Sequence, residues 1–72
     1  LRRADIRDVC FRGADLRAAD LREVNGERAD FRDADLRGAK AHRALLSGAD
    51  FRGARLDDVD WGAAGTVGAT FA

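Results

Sequence analysis

Catalytic and redox chemistry have little to draw on here: the 72 residues contain one Cys, one His, one Ser and no Tyr. A lone Cys10 excludes an internal disulfide, and with a single His there is no second Cys or His to complete a zinc-type site. Charge of one sign is also missing. Thirteen basic residues balance thirteen acidic ones, so the summed charge gives no attraction to nucleic acid or to an anionic membrane, and direct nucleic-acid binding is not expected. No apolar run approaches the ~20 residues of a membrane span or the ~7–15 of a signal-peptide core. The expectation is a soluble cytoplasmic protein with no cofactor. The chain is one domain at most, with too few residues for a conventional globule to bury much core. It has no Met, and its pattern is already under way at Leu1, so residues 1–72 read as a single unit within a longer repeat protein. Twelve Arg to one Lys, with abundant Ala and Gly, suggests a GC-rich bacterial genome.

What the sequence does contain is a repeat. Stepping by five gives Leu1, Ile6, Phe11, Leu16, Leu21, Gly26, Phe31, Leu36, Ala41, Leu46, Phe51, Leu56, Trp61, Thr66 and Phe71, of which twelve are large and apolar. Two residues before each centre, from Ala4 to Ala69, only Ala or Val occurs. The residue between the two is usually acidic or an amide, and the one after the centre is usually Arg. A step of five on an α-helix turns ~140° beyond one revolution, so these positions would make no buried stripe. In one continuous strand, successive units would land on opposite faces. Both difficulties vanish if each unit is a short extended piece pointing its small and large residues inward, followed by a corner.

A second period, of twenty, sets the number of corners per revolution. It places Phe11, Phe31, Phe51 and Phe71 in one column and Leu16, Leu36 and Leu56 in the next. The fold predicted is all-β: a solenoid of about three and a half four-sided coils, twenty residues each, stacked ~4.8 Å apart. Such units bury their apolar face only against neighbouring coils. Gly26, Ala41 and Thr66 leave central positions underfilled and are expected to be weak or partly wet, with Val24 helping to fill the gap at Gly26. Leu45 falls where an outward polar group is expected.

The units Ala14-Asp15-Leu16-Arg17-Ala18, Ala34-Asp35-Leu36-Arg37-Gly38 and Ala49-Asp50-Phe51-Arg52-Gly53 closely resemble the pentapeptide-repeat family, and the likeness covers essentially all 72 residues. The resemblance implies that the four-sided β-helix is quadrilateral and right-handed. It implies that many members have no assigned activity. It also implies two functional precedents: members that protect DNA gyrase or affect topoisomerases by presenting a rod that imitates duplex DNA, and members that dimerise through an apolar C-terminal coil.

For function, the reading is that the chain is not an enzyme. His42 and Ser47 fall on adjacent sides of the coil, without the orienting third group that a nucleophile and base require. The regularly spaced carboxylates serve the corners, accepting hydrogen bonds from nearby backbone N–H groups. Arg12, Arg32 and Arg52 stack in one row and Arg17 and Arg37 in the next. Asp30 and Asp50 flank the first row and Asp15 and Asp35 the second, so the surface is expected to be laced with ion pairs, or else to bind phosphate or an acidic protein through the Arg rows. The function expected is a rigid rod that displays Arg and Asp columns to an unidentified protein partner. The alternative is a DNA-mimicking modulator of gyrase or topoisomerase. Zero net charge disfavours mimicry, which needs an acidic array. The last eleven residues, "GAAGTVGATFA" (62–72), carry no charge. Trp61, Val67 and Phe71 mark this stretch as a terminal coil or a homodimer interface.

Overall fold

The computed structural model describes residues 1–72. Parallel bridges join residues twenty apart, from Asp5↔Asn25, Cys10↔Asp30, Asp15↔Asp35 and Asp20↔Lys40 down to Leu45↔Gly65 and Asp50↔Thr70. All 44 backbone hydrogen bonds either close a turn or join neighbouring coils. Ile6 N–H donates to the Asn25 carbonyl at 2.8 Å and Asn25 N–H to that of Ala4 at 2.9 Å, and the pattern recurs every five residues. The backbone is therefore satisfied by the coil above and the coil below, as buried peptide groups require.

The corners are β-turns, each closed by a bond from the small residue back to the centre before it, as in Ala4 N–H to the Leu1 carbonyl at 2.8 Å. The third residue of every turn has positive φ: Gly13, Gly38, Gly48, Gly53 and Gly68, but also Arg3, Asp8, Ala18, Glu23, Arg28, Asp33, Arg43, Asp58 and Ala63. That is the type II geometry, which favours glycine at this place. Seven of the nine non-glycine residues there are also tied by their own N–H to the next coil, as Arg3 is to the Arg22 carbonyl at 2.9 Å, whereas Asp58 and Ala63, in the last turns, are not.

Every buried residue falls at one of two places in the five-residue unit. Ile6, Leu21, Gly26, Phe31, Leu36, Ala41, Leu46 and Phe51 are centres; Val24, Ala29, Ala34, Ala39, Ala44 and Ala49 are the small residues. The Phe column forms a continuous stack, with ring centroids 5.3 Å apart for Phe11–Phe31, 5.0 Å for Phe31–Phe51 and 5.1 Å for Phe51–Phe71.

Three expectations are corrected. Gly26 is no void. A Cβ there would lie 2.9 Å from Leu46 Cδ2 and 3.5 Å from Ile6 Cδ1, so side chains of the adjoining coils already occupy the space. Ala41 leaves only an apolar cavity of about 10 Å³, lined in part by Leu21, Leu46 and Trp61. The oversized Trp61 of the next coil turns inward, meeting Phe51 and Phe71 edge-on at 5.7 and 5.9 Å. Val67, the second residue of a turn in the uncharged segment, is 83% exposed. Finally, the shape is no rod. The Cα extents are 23 × 21 × 17 Å, because a few coils rising ~4.8 Å each are no longer than one coil is wide.

The uncharged segment does not decay. Turns continue through Gly68 and bridges through Thr70, and Phe71 stacks on Phe51 while remaining 45% exposed. No helix is long and apolar enough to cross a membrane.

Candidate interaction surface

In an extended segment, residues i and i+2 share a face. An Asp before the centre and an Arg after it therefore meet outside the core. Arg7 donates to Asp5 through Nε at 2.9 Å and Nη2 at 2.8 Å, while the Arg7 backbone N–H donates to the same Oδ1 at 3.2 Å. The same fork joins Asp15–Arg17, Asp20–Arg22, Asp30–Arg32, Asp35–Arg37 and Asp50–Arg52. Each carboxylate thus caps its turn and neutralises an Arg, a planar two-point match that guanidinium is shaped for.

The electrostatics follow from these bonds. The Arg7 and Arg17 side chains hold the Asp5 and Asp15 carboxyls down at about 2. Hydrogen bonds from Arg22, Arg32, Arg37 and Arg52 likewise hold Asp20, Asp30, Asp35 and Asp50 below the ordinary carboxylate range. The forks are laced to one another along the axis: Arg17 Nε lies 4.0 Å from Asp35 and Arg32 Nε 3.9 Å from Asp50.

Of the five Arg residues singled out, Arg17, Arg32, Arg37 and Arg52 are thus engaged by their own Asp. Arg12 is the exception. Cys10 stands where its Asp would be, and its one ion pair is a long 3.8 Å approach to Asp33. The thiol of Cys10 is exposed and 3.9 Å from Asp30 Oδ2. The unit Arg55-Leu56-Asp57 reverses the usual order of charges, and Arg55, Lys40 and Arg43 have no carboxylate within 4.0 Å. Between coils, Arg28 forms a fork with Asp8 at 2.9 and 3.2 Å.

His42 and Ser47 are not joined by a hydrogen bond. Instead His42 Nε2 lies 2.5 Å from Asp60 Oδ2, a pairing that spacing by five does not reveal because it runs diagonally between coils. No group of three or more His, Cys, Asp or Glu side chains could hold a metal ion. On the flank carrying Leu45, which is 51% exposed, residues 44–48 and 64–68 bear no charge.

Comparison with known proteins agrees with this geometry. A family model described as pentapeptide repeats, in eight copies, matches residues 1–38, 10–48 and 29–60. Among solved structures, the crystal structure of the pentapeptide repeat protein Rfr23 from the cyanobacterium Cyanothece 51142 is similar over 100% of this chain, with a TM-score of 0.66 and 22% identity. The chain spans 46% of the length of that structure. A likeness at this identity carries the fold, which is of the right-handed β-helix type. No curated protein sequence matches.

Proposed function

The chain belongs to the pentapeptide-repeat family, and from that premise we propose that it is a non-enzymatic structural module for protein interaction. In this reading it is a quadrilateral β-helix of about three and a half coils with a twenty-residue repeat, presenting ordered columns of Arg and Asp. The observation that carries it is the set of six Asp–Arg forks. They hold charged groups in a fixed array without leaving a field of one sign, which suits recognition by a protein surface of matching charge pattern. Arg12, Arg32 and Arg52, with Arg17 and Arg37, line this array, and of these five Arg12 is the least engaged, its one approach being 3.8 Å to Asp33.

Gyrase or topoisomerase modulation by DNA mimicry has less behind it. Asp30 and Asp50 make an acidic row, but Arg32 and Arg52 neutralise it, whereas the phosphates of a duplex carry uncompensated charge. A second copy docking on the C-terminal coil is supported by the absence of charge after Asp60 and by the exposed Phe71.

Two measurements separate these readings. Inhibition of gyrase supercoiling would favour the mimic; no effect at any attainable concentration removes it. Light scattering over a range of concentrations should show the mass doubling, with Phe71→Ser restoring the monomer. A constant monomer mass removes self-association and leaves the charged columns as the interaction surface.

A further inference from the structure

The twenty-residue repeat sorts the outward side chains into four strips running along the axis, one beside each column of centres. Their charges differ. The strip beside Leu1, Leu21, Ala41 and Trp61 holds five basic residues, Arg2, Arg3, Arg22, Lys40 and Arg43, against three acidic ones. The strip of the Phe column has three of each, and the other two strips each hold one more acid than base. A chain of zero net charge thus carries its whole basic surplus on one strip.

The three acids of that strip are already committed. Asp20 holds Arg22 at 2.7 Å, Glu23 lies 3.6 Å from both Arg2 and Arg3, and Asp60 meets His42 Nε2 at 2.5 Å. Lys40 stands between Asp20 and Asp60 in the bridged column, but no carboxylate comes within 4.0 Å of its ammonium. Arg3, Glu23 and Arg43 occupy the third place of successive turns, with φ of 64, 60 and 57°, so their side chains leave the same corner. Glu23 is drawn to the arginines of the first coil, which leaves Arg43 unpaired. Lys40 and Arg43 are both exposed.

We propose that this strip, centred on Lys40 and Arg43, is the docking surface for an acidic segment of a partner protein. The inference rests on the reading of the chain as a protein-interaction module, and it places the contact on cations that the Asp–Arg forks leave out. Exposed charges are screened beyond about 8 Å at physiological salt, so the local surplus counts and the neutral total does not. A carboxylate arriving at Arg32 has to compete with Asp30, which accepts from Nε at 2.9 Å and Nη2 at 2.8 Å. At Lys40 and Arg43 there is nothing to displace. Arg55 is also unpaired, but Asp57 and Asp58 follow it directly and repel an anion. The strips on both flanks, those of the Ile6 and Leu16 columns, are the two with an excess of acid. A nucleic-acid strand, charged at every phosphate, would run out onto them, whereas a short acidic segment stays on the basic strip.

Titration of the isotope-labelled 72-residue chain with a hexaglutamate peptide of blocked termini, followed by amide chemical shifts, tests this. Signals of Lys40, His42 and Arg43 should move and saturate, and added salt should weaken the binding. Lys40→Gln and Arg43→Gln should each weaken it about two- to fivefold, as loss of one exposed ion pair does, whereas Arg55→Gln, which removes the same charge elsewhere, should change it by less than about 1.5-fold. Neither Lys40 nor Arg43 makes an ion pair within the chain, so unchanged Phe31 and Leu36 signals should show both variants folded. Equal loss in all three variants would reduce the effect to total charge and overturn the proposal, as would tighter binding of an oligothymidylate of the same length. Shifts centred on Arg12 would also overturn it while keeping the fork array as the interaction surface. No shift anywhere would overturn it and leave the broader module reading to the light-scattering and supercoiling measurements.

Discussion

Nine side chains occupy the left-handed backbone region, Arg43 (φ 57) and Ala63 (φ 56) among them. Holding an L-residue there costs roughly 1–2 kcal/mol, and replacing it by Gly returns about 0.4–1 kcal/mol of that as unfolded-chain entropy. Arg43→Gly and Ala63→Gly should therefore each raise stability by roughly 0.5–1 kcal/mol, seen as a higher thermal midpoint. Gly38→Ala should do the reverse by a similar amount, although a Cβ there would touch nothing within 4 Å. At Gly53 the added Cβ would also collide with the Asp33 carboxylate, so Gly53→Ala should be the more harmful of the two. In the core the order inverts. Gly26→Ala forces Leu46 aside and should cost about 1–3 kcal/mol, as overpacking does. Ala41→Val directs a methyl into the cavity above Trp61 and should gain up to about 1 kcal/mol. Chemical denaturation of the two variants, moving in opposite directions, checks that the centres of neighbouring coils interdigitate.

The element here is the five-residue unit, and its outer face is the Asp–Arg fork. Because the folded-state pKa of these carboxyls is lowered, their contribution is present above the ordinary aspartate value of 3.8 and is lost as pH falls through about 2, the value for Asp5 and Asp15. The thermal midpoint should therefore hold level down to about pH 4 and then fall steeply towards pH 2. A midpoint that stays level to pH 2 would mean that the forks do not contribute. Asp35→Ala removes both the cap on the Arg37 N–H and the partner of its guanidinium, so it should lower the midpoint more than Arg37→Ala, which leaves the cap in place. Added salt should narrow that difference by screening the charge term alone.

For the molecule as a whole, the periods of five and twenty were legible because each coil reuses the same inward positions, and the Phe column shows it most plainly. The forks were legible only in part. An Asp at the corner was expected to cap the backbone, but the Asp-x-Arg spacing also brings the guanidinium onto the same face. The left-handed turns were not legible because glycine fills only five of those places, Gly13, Gly38, Gly48, Gly53 and Gly68; hydrogen bonds to the next coil, invisible in one unit, tie seven of the other nine. Gly26 and Ala41 looked like defects for the same reason. Their space is filled by Ile6, Leu46 and Trp61 from neighbouring coils, a relation between residues about twenty apart rather than within a unit. The diagonal meeting of His42 and Asp60 was hidden because it arises from two departures from the pattern, Lys40 and Gly62. The breadth of the body, which rules out a rod at this length, follows from coil rise against coil width rather than from any residue.

Everything above depends on residues twenty apart lying side by side in successive coils. A nuclear Overhauser spectrum of the chain in solution tests it most directly. Stacked coils should give ring-to-ring contacts for Phe11–Phe31 and Phe31–Phe51, together with backbone contacts across Asp30↔Asp50 and Lys40↔Asp60. Contacts confined to residues three or four apart, or a spectrum without long-range contacts, would contradict it.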